Sequence, residues 1–366
     1  MNRRFALRGI AAAATLAAAG AVVACSPPGQ GGTSGATEGS AGAAASGDTL
    51  VIYSNSVSEG RGDWLSKQAE EAGFALQFVD LGGGDVMNRL VAEKNNPVAD
   101  VTFGLNNVYF EKLKAADVLE PYTPAWSGDV DAALGDATDK QFWPIVREPI
   151  MLVYNTAAYP GGAGAPTDWP DLWTKPEFKQ KYETPTSLGG ATTQMVLSGI
   201  LSRYKDPNGE LGISAEGWNA VEQYFANGSP AVKGTDLFAR MKEGQVNAGQ
   251  MWLAGKASRE KEFGITTQAV NPAVGVPMVV QHVALVKGTK KSEQAQKFID
   301  WFGSPEVQAA WSKQFFTAPT NAKAAATADA DAIAQTDAFK RQDIDWPFVA
   351  EHIDQWVEKA ELEYLG

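Results

Sequence analysis

The chain has a single cysteine, Cys25, among 366 residues, and only two histidines, His282 and His352. One thiol excludes an intramolecular disulfide and every Cys₄ or Cys₂His₂ zinc site. The two histidines lie far apart in sequence. No GxSxG elbow and no HExxH helix is present, so the usual local signatures of an esterase or a zinc protease are missing. Positive charge is also scarce: 31 Lys and Arg stand against 43 Asp and Glu, a net charge of −12. That balance argues against nucleic-acid binding and against docking on anionic lipid through a basic face. Nothing calls for a metal or a cofactor. What remains is a chain with 44% apolar and 20% charged residues, the proportions of a globular protein.

The N-terminus reads as an export signal. Arg3, Arg4 and Arg8 precede an apolar, alanine-rich run over 10–23, the length of a signal h-region and too short for a membrane span. Val22-Val23-Ala24-Cys25 resembles the lipobox of bacterial lipoproteins. The resemblance implies cleavage before Cys25, a signal peptide over 1–24, and lipidation of the new N-terminal cysteine. Arg3-Arg4 with Leu7 is also similar to a twin-arginine signal, with the phenylalanine one place off. Residues 25–48 are mostly Gly, Ser, Ala and Thr, with two prolines and almost no apolar bulk. Such a stretch buries too little apolar surface to offset its ordering entropy and reads as a flexible tether.

Beyond the tether, strand and helix patterns alternate. TLVIYS at 49–54, a strand over 74–80 and ADVTFGL at 99–105 each precede a helical period. This order predicts an α/β sheet flanked by helices, with ligands at the carboxyl ends of the strands. Three polar loops fall there: Ser54-Asn55-Ser56, Gly82-Gly83-Gly84-Asp85 and Asn106-Asn107. Asp85 is the expected helix cap. The glycine run lacks both a lysine–serine sequel and GxGxxG spacing. It reads as a tight turn rather than a nucleotide loop.

The middle of the chain carries Thr186-Ser187-Leu188-Gly189-Gly190-Ala191-Thr192-Thr193 ahead of an apolar helix. Small hydroxyl residues and glycines at a helix start leave backbone N–H groups free where the helix dipole favours an anion. Ordinary capping by serine or threonine accounts for the same pattern. Further on, 277–286 is valine-rich, 288–291 turns, and Ala295, Phe298, Ile299 and Phe302 repeat at helical spacing. A final amphipathic helix over 347–365 carries Val349, Ile353, Trp356 and Ala360 on one side, and 327–334 reads as a surface excursion.

Several of these segments resemble the type II extracellular solute-binding proteins of ATP-binding-cassette importers. They are the crossing strand over 142–155 ending in Tyr154-Asn155, Trp169-Pro170-Asp171-Leu172-Trp173, Gly244-x-Val246-x-x-Gly249-x-x-Trp252, the return over 274–303, and Ser304-Pro305-Glu306. The resemblance covers 49 to about 320. It implies the α/β, two-lobed periplasmic-binding-protein type II fold, each lobe a mixed sheet flanked by helices, with a ligand cleft between. The expected lobes are 49–145 plus 275–366, and 146–274. It implies a monomeric receptor, lipid-anchored at the outer face of the cell membrane. The receptor captures a small polar solute, phosphate- or phosphonate-bearing anions included, and hands it to a permease and its ATPase without catalysing a reaction. The expected ligand-binding residues are Ser54, Asn55, Ser56, Gly84, Asp85, Asn106, Ser187, Gly190, Ala191, Thr192, Thr193, Trp252 and His282, with Gln250 beside them. His282 equally suits a hydrogen-bonded structural role, and Trp252 a core one.

Iron binders of this branch use a histidine after the first strand, a glutamate after the third and a tyrosine pair near the GxVxxG segment. The corresponding residues here are Ser54-Asn55-Ser56, Gly104-Leu105-Asn106 and Gln250-Met251-Trp252, which supply none of those ligands. Ferric iron needs anionic oxygen donors, so a ferric-ion binder is the alternative within the family. A secreted hydrolase is the alternative outside it.

Overall fold

The computed structural model describes residues 49–365. The expected signal peptide, Cys25 and the tether lie outside them. β1 (Thr49–Ser54), β2 (Ala75–Asp80) and β3 (Val101–Phe103) are parallel in the order β2-β1-β3. They alternate with α1 (Arg61–Glu71), α2 (Gly83–Ala92) and α3 (Asn107–Ala115). After β4 (Leu119–Glu120) comes β5 (Trp143–Asn155), the longest strand. Then follow α4 (Asp171–Thr174), β6 (Glu183–Thr184), α5 (Ala191–Leu201), β7 (Lys205–Glu210), α6 (Ala215–Asn227), β8 (Ser229–Pro230), α7 (Leu237–Lys242), β9 (Ala248–Trp252), α8 (Leu253–Phe263) and β10 (Thr267–Ala269). β11 (Met278–Val286) returns antiparallel to both β3 and β5. The chain ends with α9 (Ser292–Phe302), α10 (Pro305–Phe315), β12 (Ala318–Pro319), α11 (Ala322–Ala325), α12 (Ala330–Asp337) and α13 (Trp346–Glu363).

β5 belongs to two sheets. Its first half pairs with β11 and β12, and its second half, Ile150 onward, pairs with β9 and β10. Side-chain alternation explains why each sheet is covered on both faces. Leu50 and Ile52 enter a core with Leu65 of α1, Phe298 and Phe302 of α9, and Trp311 of α10. Val51 and Tyr53 enter one with Val86 and Leu90 of α2 and Phe110 of α3. In the second half of β5, Ile150, Leu152 and Tyr154 face α5, α6 and α13, while Met151 and Val153 face α7 and α8.

α9 buries Ala295, Phe298, Ile299 and Phe302, the four positions whose spacing predicts it. α13 buries Val349, Ile353, Trp356 and Ala360 in the core of Ile150 and Leu152, together with Val108 of α3. Two local expectations are corrected. Asp85 lies in the first turn of α2 and does not cap it, because the helix begins two residues earlier and Gly82 holds the cap position without a side-chain bond. The excursion at 327–334 runs into a capped helix, α12, with Asp329 accepting from the Ala332 N–H.

Candidate functional site

Three loops at the carboxyl ends of the parallel strands meet. A methyl group built on Gly83 would lie 2.7 Å from the Tyr109 ring and 3.1 Å from Asn55 Nδ2. One on Gly104 would lie 2.6 Å from Ser56 Oγ and 3.0 Å from Asn55 Oδ1. Gly104 has φ +93°, a left-handed conformation open to glycine. Asn55 therefore sits between the second and third loops, and only hydrogen side chains leave it room. Ser54 is buried, and its hydroxyl accepts the Ser56 N–H at 3.0 Å. Gly84 lies beside the Tyr109 hydroxyl, and Asp85 is exposed. Asn106 caps α3 through Oδ1, which accepts the Tyr109 N–H at 3.3 Å. Its Nδ2 is buried without a hydrogen-bond partner among the described residues, and Asn106 is 3% exposed. Burial, then the charges of Asp354 and Asp85, raise the Tyr109 hydroxyl pKa.

α5 starts differently. Gly190 occupies its cap position with no side-chain bond, and no acidic residue stands in the first turn. The Thr193 hydroxyl donates to the Gly190 carbonyl at 2.7 Å. Gly190 and Ala191 are exposed and Thr192 and Thr193 half-buried. The preceding turn is held from outside. Glu361 of α13 accepts the Leu188 N–H at 2.6 Å, with the exposed Ser187 hydroxyl 3.4 Å away. Under this helix start lies a small cavity lined by Leu188, Thr193, Tyr224 and Gln250. The Tyr224 hydroxyl and Gln250 Oε1 are buried without partners among the described residues.

Trp252 ends β9 and is half-buried. Its indole lies where a side chain on Gly255 would fall, and the Arg259 guanidinium sits 4.8 Å from its ring centre. His282 is fully buried. Its ring stands 5.2 Å from Phe110 and 5.0 Å from Phe142, and Nε2 is 2.7 Å from the Leu134 carbonyl. A carbonyl partner requires the proton on Nε2, and Nδ1 has no partner among the described residues. Burial lowers its pKa to about 4. The β11 backbone at this point bonds Gly104 and Leu105, yet the imidazole points into the core and does not join the loops.

One residue escapes the sequence reading: Glu148. It stands opposite Val279 in the middle of β5, two residues before Ile150, where the strand changes sheets. Its carboxylate accepts the Ala254 N–H of α8 at 2.9 Å. Burial raises its pKa, the Ala254 bond lowers it, and Arg61 at the start of α1 is the cation that acts on it. The visible signal is the pair Arg147-Glu148, charges inside an otherwise apolar strand. Among the described residues, no group of three or more His, Cys, Asp and Glu could hold a metal ion.

The model of the bacterial extracellular solute-binding protein family matches residues 96–351. A probable ABC transporter periplasmic-binding protein, y4fP of Sinorhizobium fredii, is 35% identical over 86% of this chain and 86% of its own length. A putative 2-aminoethylphosphonate-binding periplasmic protein of Salmonella typhi is 25% identical over 71% of this chain and 75% of its own. The periplasmic binding protein AfuA of Actinobacillus pleuropneumoniae, solved with fructose-6-phosphate, superposes with a TM-score of 0.68. It does so at 21% identity, over 87% of this chain and 99% of that one. Its fold is the two-lobed type II arrangement, which accounts for a strand shared by two sheets. The chain belongs to the bacterial extracellular solute-binding proteins.

Proposed function

We propose that the chain is the substrate-binding component of an ABC importer, and that it captures a small polar solute through an anionic phosphate- or phosphonate-like group. The observation that carries this reading is the uncapped start of α5. Gly190 offers no side chain, no carboxylate stands in the first turn, and two threonine hydroxyls flank the free N–H groups. A helix start of this kind stabilises an anion through backbone donors and the dipole, without a basic side chain. From the other lobe, Asn55, Ser56, Gly84, Asp85 and Asn106 supply small polar contacts, and Trp252, in the same lobe as α5, a flat apolar one. Relatives whose names record aminoethylphosphonate and fructose-6-phosphate support the same class of ligand.

The lobes in this reading are 49–145 with 275–345, and 146–274 with α13, whose buried face joins the second core. Ligand binds the closed arrangement better than the open one and shifts the population. The importer recognises the closed form. Lipidation of Cys25 keeps the receptor at the outer membrane face, since acyl chains in combination anchor stably where one is marginal. Titration calorimetry against phosphorylated and phosphonylated metabolites tests the ligand class. Saturable binding is expected, and heats at the dilution level across the panel would sink it. Radiolabelled palmitate should enter the wild type and leave Cys25→Ser unlabelled.

A further inference from the structure

We infer that Glu148 is a cation subsite of the cleft, so that the preferred ligand is a zwitterion carrying an amine as well as an anion. This rests on the reading of the previous subsection and narrows it. Three observations carry it.

The first is place. Glu148 lies two residues before Ile150, where β5 passes from one sheet to the other. Its carboxylate reaches Ala254, just past the carboxyl end of β9, and it feels Arg61, just past the loop that follows β1. Ligands of α/β sheets bind at the carboxyl ends of strands. Glu148 stands where those ends of both sheets converge.

The second is its unfinished bonding. A carboxylate has about four acceptor positions. Here one oxygen holds the Ala254 N–H, and among the described residues no other hydrogen bond or ion pair reaches the carboxylate. Its surroundings disfavour the charge, as the raised pKa records. A half-buried carboxylate with one neutral donor gains from a cation brought to it. Perturbed ionisable groups in such places mark functional sites.

The third is that the neighbouring protein cation is otherwise engaged. Arg61 Nη1 is bonded to Glu59 at 3.1 Å, and its guanidinium stacks 5.3 Å from the Phe315 ring. A ligand ammonium would supply what Arg61 does not.

The test uses the full chain in detergent, as wild type and Glu148→Gln. Glutamine keeps an oxygen for the Ala254 N–H and removes the charge. Affinities are measured by calorimetry for matched probes in which a methyl group replaces the ammonium. The pairs are 2-aminoethylphosphonate and propylphosphonate, taurine and propanesulfonate, β-alanine and butyrate. The wild type should bind the amine member of at least one pair tenfold or more tighter. Glu148→Gln should abolish that preference and leave affinity for the amine-free member within twofold. Equal loss for both members would mean that Glu148 only holds α8, and overturns the inference. So does a preference that survives in Glu148→Gln. If amine-free anions bind and their amine partners do not, this inference fails while the anion reading stands. If no anion of either kind binds, both fail.

Discussion

A buried imidazole that resists protonation ties stability to pH, and His282 is such a group. Its folded pKa is depressed to about 4 by burial, against an unfolded value of about 6.5. Between those values the unfolded chain binds the proton and the folded chain does not, so unfolding is favoured as pH falls. The contribution is fully present above pH ~6.5 and is lost progressively down to pH ~4, amounting to roughly 3 kcal/mol. Urea unfolding at pH 7.5, 5.5 and 4.5 should show this slope in the wild type. His282→Gln should be less stable at pH 7.5, from the altered packing between Phe110 and Phe142, but should fall with pH by about one proton less over the same window. Identical pH slopes in the two proteins would refute the assignment. Ligand affinity is expected to change little with the ring itself, because the imidazole lies in the core.

At the scale of the element, the start of α5 should trade stability against binding. Gly190 has φ −77° and ψ 145°, an extended conformation open to any L-residue. Gly190→Asp should place a carboxylate on the free N–H groups of the first turn. A capping aspartate in place of glycine gains a few tenths of a kcal/mol or more, with its charge on the helix dipole adding about 0.3–1. The same carboxylate occupies the proposed anion position and repels the ligand. The expected result is a higher melting temperature with at least a tenfold loss of affinity for anionic ligands. A variant that binds as tightly as the wild type would remove α5 from the site. The helices themselves are legible in the sequence where one face is apolar, as α9 and α13 show, because 3.6-residue spacing reports burial directly. Ser214 and Ser304 cap α6 and α10, and each accepts an N–H from its first turn. Asp85 misleads because capping depends on where the backbone leaves helical geometry, and a glycine run lets that happen three residues sooner, at Gly82. His282 and Glu148 are harder still. Both sit in crossing strands, and their exposure is decided by which distant segment covers them: Phe110 and Phe142 over one, α8 beside the other. No spacing within the strand carries that information.

The whole molecule is joined by more than its two crossing strands. α13 spans both sides: Asp354 meets Lys112 of α3 at 2.6 Å, while Glu361 holds the turn before α5 through the Leu188 N–H. Trp356 is fully buried, and its indole donates to the Leu211 carbonyl at 3.0 Å. The Lys112–Asp354 pair has a largely exposed carboxylate, so it contributes no more than about 1 kcal/mol. The apolar contact is the stronger tie, since Val108 of α3 shares a core with Val349, Ile353 and Trp356. Closure that rotates the lobes about β5 and β11 must therefore slide α3 along α13 rather than break away from it. Two consequences separate these ties. Asp354→Ala removes a weak link and should alter ligand affinity by less than about fivefold, the factor that ~1 kcal/mol allows. Trp356→Ala removes a buried ring and should destabilise the fold by about 3–5 kcal/mol. Small-angle scattering of the wild type and Asp354→Ala, with and without saturating ligand, reads the motion itself. Both should contract on binding, because the strands that carry the rotation are untouched. Contraction in the wild type but not in Asp354→Ala would make the ion pair part of the closing mechanism. No contraction in either would mean that the ligand binds without closure, leaving the importer no shape change to recognise.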